Sequence, residues 1–405
     1  MVEKSYMNLE KILSIAIMSP FVILTVQYFA LANSIRLGID VSFIIQLFSK
    51  ILVGLILFYA LYLLIKHEKL TFILVYLISS AIFLSHYAIF LENRVYIQNL
   101  IFPFFFMCLP LFLISLKIRD FETFKNIMFK ASAIIYIFGI TLSIEDILGI
   151  VDIGTYSGPL SNYLLIPTIV FIEKFIDKGH IKCLILSIVS IFFILVLGSR
   201  GAILCILFFI AIKFIFLNSK NKAHNIIIKT LVGLFISFIL LNYRSMLNMI
   251  YIMLSDFGIK SRTIQLFLKE DIYLSGRENL YSKLIDYILN NPILGFGIAG
   301  DRKILSGEAV YAHNIFIEVI GNFGLFLGLL MVIVFITLVL YSLFNIKGEK
   351  KKILIIWLSI GFIHLFISSS YLIEMKFWIL FGFMINILFI KQCKSYEIEE
   401  SNGVS

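Results

Sequence analysis

Proline is scarce in this chain, with six in 405 residues, and cysteine is scarcer, with four. So few prolines leave long stretches free to run as unbroken helix, because a proline inside a helix removes a hydrogen bond and clashes with the turn before it. Cys108, Cys183, Cys205 and Cys393 lie far apart with no CxxC pair, which argues against a disulfide framework and a zinc site. Charge is thin as well: Asp, Glu, Lys and Arg make up only 15% of residues, where a soluble domain carries about 25%. There is no nucleotide-binding motif and no detectable repeat relating two halves of the chain, and the second absence weighs against a carrier built from duplicated bundles. The six histidines are scattered. His67, His180 and His224 fall in polar stretches, His86 and His364 fall inside apolar runs where packing or hydrogen bonding is expected, and only His313 has informative neighbours. No metal site and no cofactor is expected.

What fills the chain instead is apolar residue, 60% of it, with 15% aromatic and a mean hydropathy of +1.01. A bilayer core of about 30 Å takes about 20 apolar residues per helix. Twelve apolar runs of suitable character stand near 10–32, 43–65, 70–90, 95–116, 126–144, 160–175, 181–197, 202–217, 226–242, 313–344, 353–369 and 372–390. The expectation is an all-α integral membrane protein of about twelve spans forming a single polytopic domain over 1–405, with a large loop between the ninth and tenth spans. No cleavable signal peptide is expected, since the first run lies behind Lys4, Glu10 and Lys11 and has the length of a span.

Basic residues set the orientation, because loops that stay in the cytoplasm retain Lys and Arg. With the N-terminus inside, 21 of the 34 basic residues fall in inner segments, and eight of the other 13 belong to one long segment that the rule weighs little. Both termini are therefore expected in the cytoplasm. The net charge of +9 then reports topology, with the anionic inner leaflet as its partner and no nucleic acid.

The long outer segment, 243–312, is not low in complexity. "SMLNMIYIMLSDFG" reads as an extension of the ninth helix or an interfacial stretch, and "RTIQLFLKED" as an interfacial helix. "SGRENLYSKLIDYILNNP" predicts a helix from Arg277 to Leu289, with Leu280, Leu284, Tyr287 and Ile288 as its apolar stripe and Ser275 or Gly276 as its cap. Glycines 295, 297 and 300 follow, as turn formers or as points of close approach to a ligand. Then "AHNIFIEVIGNFGLFLG" re-enters the membrane with His313 and Asn314 at the rim, and Gly324 and Gly328 offer a small-residue packing face. Tyr243, Tyr273, Tyr281 and Asp301 are the loop residues expected to touch carbohydrate.

Arg200, in "FFILVLGSRGAIL", sits with Ser199 at the outer end of the hairpin between the seventh and eighth spans, on the same face as Arg277 and His313. Either arginine taken alone could be a rim or helix-start cation, and the histidine an interfacial one. Together they have a chemistry: guanidinium forks match phosphate oxygens, so the pair suits a diphosphate. A neutral imidazole accepts a proton from a hydroxyl.

The ordered set "LGSRGA", "SGRENL", "NNPILGFGIAG" and "AHNIFIEVIGNFGLFLG" resembles the O-antigen ligase and Wzy-type polysaccharide polymerase family over about residues 155–340, its core region. "GPLSNYLLIP" also looks like the family's earlier signature, although the arginine often found just before it is absent. The resemblance implies a mostly helical, GT-C-like glycosyltransferase that is metal-independent and inverting. By it, Arg200 and Arg277 hold the diphosphate of an undecaprenyl diphosphate-linked oligosaccharide and His313 orients or deprotonates the acceptor hydroxyl. Ser199, Asn314 and Glu318 are supporting groups or simple packing. A chain-length regulator and a flippase are the implied partners, and the membrane implied is the bacterial inner one. Polymerase and ligase share these motifs; polymerisation of O-antigen, capsule or exopolysaccharide is the reading preferred. A lipid-oligosaccharide flippase or carrier would place charges near mid-bilayer, and a non-catalytic assembly partner would tolerate loss of all three residues.

Overall fold

The structure, a computed structural model, describes residues 2–39, 41–153, 157–216 and 277–389, with scattered residues between 242 and 268. The expected ninth span, all but its last residue, lies outside these, as do Tyr243, Tyr273, Ser275, Gly276 and most of the two loop stretches before Arg277.

Every described element is a helix. They are α1 (Val2–Arg36), α2 (Ser42–Ile89), α3 (Arg94–Pro103), α4 (Leu109–Ser115), α5 (Phe121–Ile147), α6 (Gly158–Lys178), α7 (Ile181–Val196) and α8 (Arg200–Ile215). After the long loop come α9 (Arg277–Asn290), α10 (Gly300–Ile304), α11 (Ile315–Phe323), α12 (Leu325–Asn345), α13 (Gly348–Trp357) and α14 (Met375–Phe389). Seven segments among the described residues are long and apolar enough to cross a membrane: Met7–Arg36, Ser42–Lys66, Glu68–Ile89, Leu91–Ser115, Phe121–Ile147, Gly158–Lys178 and Leu325–Asn345. The chain is an all-α integral membrane protein.

The second and third expected spans are both present, as Ser42–Lys66 and Glu68–Ile89, joined within α2 through Glu68, whose φ of −142° and ψ of 53° break the helical path. Others take a different form. The fourth is α3 and α4 joined by a π turn, Phe104–Cys108, with Pro110 just after it; a proline ring crowds the carbonyl four residues back, here that of Phe106, and the wider turn gives it room. The tenth, expected as one helix over 313–344, is two helices that break at Gly324 (φ 80°, ψ 165°). This conformation is essentially closed to any residue with a Cβ, so apolar periodicity continued where the backbone could not.

The core sits among α1, α5, α13 and α14. Trp357, fully buried, meets Phe21, Phe124 and Phe383 at ring-centroid distances of 6.0, 6.2 and 6.0 Å. Polar anchors then distinguish the two ends of the bundle. At one, the Glu10 carboxylate accepts the N–H groups of Arg119 and Asp120, each at 3.2 Å, and Lys125 pairs with Asp177 at 2.8 Å and Glu349 at 2.6 Å. Lys213 and Glu173 join α8 to α6 there at 2.5 Å. At the other end, Asn33 donates to Glu145 at 2.9 Å, and the Ser157 N–H donates to the Leu197 carbonyl at 3.1 Å, tying the α5–α6 loop to the α7–α8 turn. Lysine networks gather at the first end; the residues singled out from the sequence gather at the second.

Candidate functional site

Helix α9 forms where the sequence predicts it, and its stripe is Leu280, Leu284 and Ile288, spaced four apart and buried. Tyr287 leaves the stripe and is partly exposed, because the three-residue row at i, i+4 and i+8 already covers the buried face. With Phe296, Leu305 and Ala312 these residues make a small second core beside the bundle. Burying each large side chain contributes about 1.5–3 kcal/mol, which is what holds α9, α10 and α11 together as a cap.

The glycine loop works by close packing. Gly295 and Gly297 hold φ of +61° and +70°, and a Cβ at either would run into the Gly321 carbonyl or the Phe90 ring. The Phe296 N–H donates to the Gly321 carbonyl at 2.7 Å and the Leu325 N–H to Pro292 at 2.7 Å, seating the loop on the α11–α12 corner. Gly328 lies against the backbone of Ile320, the close approach that its place in the small-residue face predicts. Two residues clasp the loop from α2 and the turn that follows it: His86 Nδ1 accepts the Ile298 N–H at 3.0 Å, the hydrogen-bonding role expected of it, and the Asn93 amide, which the sequence did not single out, donates to the Phe296 and Ile298 carbonyls at 2.8 and 3.2 Å.

His313 ends this loop in a left-handed conformation, φ +54°. Its ring lies 4.4 Å from that of Tyr311, and the Tyr281 hydroxyl donates to its carbonyl at 3.3 Å. Burial first, then the positive charge of Arg277, lowers its pKa to about 4. The imidazole is therefore neutral at physiological pH, and its Nδ1 is buried with no hydrogen-bond partner among the described residues. Arg277 opens α9 and is partly exposed within electrostatic reach of His313.

Arg200 opens α8 at the same end of the bundle. Gly201, next to it, packs on Ile367, Phe366 meets Phe316 at 4.8 Å, and Phe316 is the second residue of α11, three beyond His313. Part of the long loop also reaches this place, for Ile264 is fully buried against Val196 at the end of α7. Ser199 and Asn314 are helix caps: the Ser199 hydroxyl accepts the Ala202 N–H at 3.4 Å, and the Asn314 carbonyl oxygen accepts those of Phe316 and Ile317 at 3.0 and 3.3 Å. Each satisfies N–H groups that a helix start leaves unpaired.

Glu318 is buried beneath the rim. Its carboxylate accepts the Ser370 hydroxyl and the Tyr371 N–H. Asp301, read from the sequence as a carbohydrate contact, has no exposed surface; it accepts the Ala312 N–H at 2.9 Å and so fixes the residue before His313. A glycine-rich loop with an acidic residue looks solvent-facing in sequence, and only the packing of α10 under α11 takes Asp301 inside. Both carboxyls lie outside the seven spans, and burial raises both pKa values, that of Glu318 further because Asp301 is beside it. Arg302, which reaches Ser370 Oγ at 3.5 Å, opposes the rise. Among the described residues three non-glycines hold positive φ, Ala299, His313 and Ser369, and each adjoins this cluster. Among the described residues, positive-φ strain outside glycine is thus confined to His313 and the Asp301–Glu318–Ser370 cluster beneath it.

Residues 185–332 match the O-antigen ligase family. No curated protein and no solved structure matches the chain. The O-antigen ligase region runs from the start of α7 through Arg200, Arg277, His313 and Glu318 into α12, so it takes in the cap and its rim. That family points to joining or polymerising glycans on lipid-linked substrates in a membrane, a glycosyltransferase-like activity.

Proposed function

We propose that this protein is a surface-polysaccharide polymerase, transferring a growing glycan from undecaprenyl diphosphate to a hydroxyl of another lipid-linked repeat unit. The observation that carries the reading is a neutral, part-buried His313 with Arg277 in electrostatic reach, both within the O-antigen ligase region. The acceptor hydroxyl gives its proton to the imidazole as its oxygen bonds to the anomeric carbon. The carbon–oxygen bond to the diphosphate breaks on the opposite face, so configuration inverts. Arg277 and Arg200 take the charge that develops on the leaving diphosphate, and low dielectric at the rim strengthens that attraction. No metal is assigned a role. Burial, helped by the positive charge of Arg277, keeps the base unprotonated, and the same charge holds the leaving group.

In this reading the cap faces away from the cytoplasm of a bacterial inner membrane, where the lipid-linked repeat is delivered by a flippase and a chain-length regulator acts. The test is a surface-glycan gel from a strain lacking the protein, complemented with wild type or with His313→Ala at matched expression. Single repeat units in place of a ladder, in the deletion strain and in the mutant alike, are the expected result. A ladder restored by His313→Ala removes the histidine from the chemistry. Full-length polymer accumulating on the lipid carrier in the deletion strain identifies a ligase instead.

A further inference from the structure

A histidine base is commonly aimed through its second ring nitrogen, which donates to a carboxylate or a backbone carbonyl. His313 lacks this device: its Nδ1 is buried with no hydrogen-bond partner among the described residues. Whatever holds the ring must act on the backbone or on the ring face, and contacts of both kinds are present.

His313 stands between the end of the cap loop and Asn314, which caps α11. Its φ of +54° is a strained conformation for a residue with a Cβ, and such a conformation persists only where the surroundings over-determine it. Upstream, the Asp301 side chain accepts the Ala312 N–H at 2.9 Å. Downstream, the Tyr281 hydroxyl donates to the carbonyl of His313 itself at 3.3 Å. The ring of Tyr311 lies against the imidazole, with centroids 4.4 Å apart. The backbone is gripped on both sides of the His313 Cα.

The grip is anchored to the rest of the molecule. Asp301 belongs to α10 and has no exposed surface. Its neighbour Arg302 reaches Ser370 Oγ at 3.5 Å, and Ser370 in turn donates to Glu318 of α11. Tyr281 belongs to α9, seated through Leu280, Leu284 and Ile288 on the second core. Asp301 and Glu318 put two carboxyls side by side in one dry place, which works against stability. A fold bears such a cost where the geometry of a site needs it.

We propose that Asp301 and Tyr281 are positioning residues, holding His313 left-handed and thereby aiming its imidazole at the acceptor hydroxyl. The inference rests on the base role proposed for His313. Both act through the His313 backbone, and neither is assigned a contact with the sugar.

The test uses the full chain in detergent, with the lipid-linked repeat unit extracted from the deletion strain as substrate. Asp301→Ala is expected to lower kcat about 10- to 100-fold, as a misplaced catalytic group does, and Tyr281→Phe about threefold, the weight of one long neutral hydrogen bond. KM is expected to stay within about twofold in both. Asp301→Asn keeps an oxygen for the Ala312 N–H and is expected to recover most of the loss. A readout free of turnover is the rate at which diethyl pyrocarbonate modifies His313, followed by mass spectrometry of its peptide. Release of the ring is expected to speed it several-fold in Asp301→Ala and not in Asp301→Asn.

Unchanged kcat with unchanged modification, a loss in Asp301→Asn as deep as in Asp301→Ala, or an effect on KM alone would each overturn the proposal, the last by making these residues sugar contacts. Full turnover in His313→Ala removes the base itself. The modification rate then still decides whether the ring is held: a faster rate in Asp301→Ala upholds the grip and an equal rate refutes it. Should Asp301→Ala fail to fold, Tyr281→Phe, a half-buried residue that loses only its hydroxyl, gives the same two readouts.

Discussion

At the scale of single residues, the molecule puts an ordinary imidazole in an uncommon electrical setting. Burial and the nearby Arg277 charge move the His313 pKa to about 4. If His313 is the base of the proposed transfer, protonation inactivates it only well below the range where a free histidine titrates, and activity is expected to rise as pH climbs through about 4, with no acid limb near 6.5. Arg277→Lys tests the two duties of the guanidinium together. It keeps the cation, so the acid limb of kcat/KM is expected to stay where it is, while loss of the planar fork lowers turnover about tenfold or more. A purified transfer assay across pH 4 to 8 reads both; near-normal turnover would speak against a diphosphate clamp. Arg277 and His313 were visible in the sequence because both sit in short motifs. Asp301, which holds the backbone beside His313, was visible only as a polar loop residue, since no pattern in a loop tells buried from exposed.

At the scale of elements, the informative feature is the corner between α11 and α12. The sequence runs apolar through both helices, and periodicity alone reads one long span. The backbone of Gly324 decides otherwise, and the carbonyl of Ile293 occupies the space that any side chain there would need. Gly324→Ala is expected to cost about 1–3 kcal/mol or more, seen as a lowered Tm of the purified protein, while Gly38→Ala, where no neighbour is close although φ is again positive, is expected to cost less. If Gly324→Ala unfolds at the wild-type temperature, the corner is not the constraint described. Most spans were legible because roughly 20 apolar residues between polar ends leave little choice. The break at Glu68 was legible too, because Lys66, His67, Glu68 and Lys69 interrupt the apolar run; the π turn at Phe104–Cys108 and the corner at Gly324 were not, because each is a backbone event without a change in hydropathy.

At the scale of the whole molecule, the two ends differ in kind. One is held by lysine–carboxylate networks across α5, α6, α8 and α13; the other carries the strained loop and the cap. In the proposed orientation, which rests on the charge bias of the sequence, the first end faces the cytoplasm. Single cysteines placed in a background with the four native ones replaced by serine check this in intact cells. Ser306→Cys is expected to react with a membrane-impermeant maleimide and Lys347→Cys only after the membrane is opened. The reverse pattern would put the cap inside, beyond the reach of a lipid-linked donor delivered to the outer face.

The glycine-lined corner also bears on how this protein tolerates change. Gly321, Gly324 and Gly328 touch neighbours so closely that a single added carbon meets occupied space, yet a few residues on, Phe326, Leu327, Leu330 and Ile333 of α12 turn large exposed surfaces outward. Related chains can therefore drift freely along the outward strip, exchanging one greasy residue for another, while the three glycines stay fixed. Over evolutionary time the helix would keep a short invariant hinge beside a nearly neutral flank, and a comparison of descendants would find the two side by side.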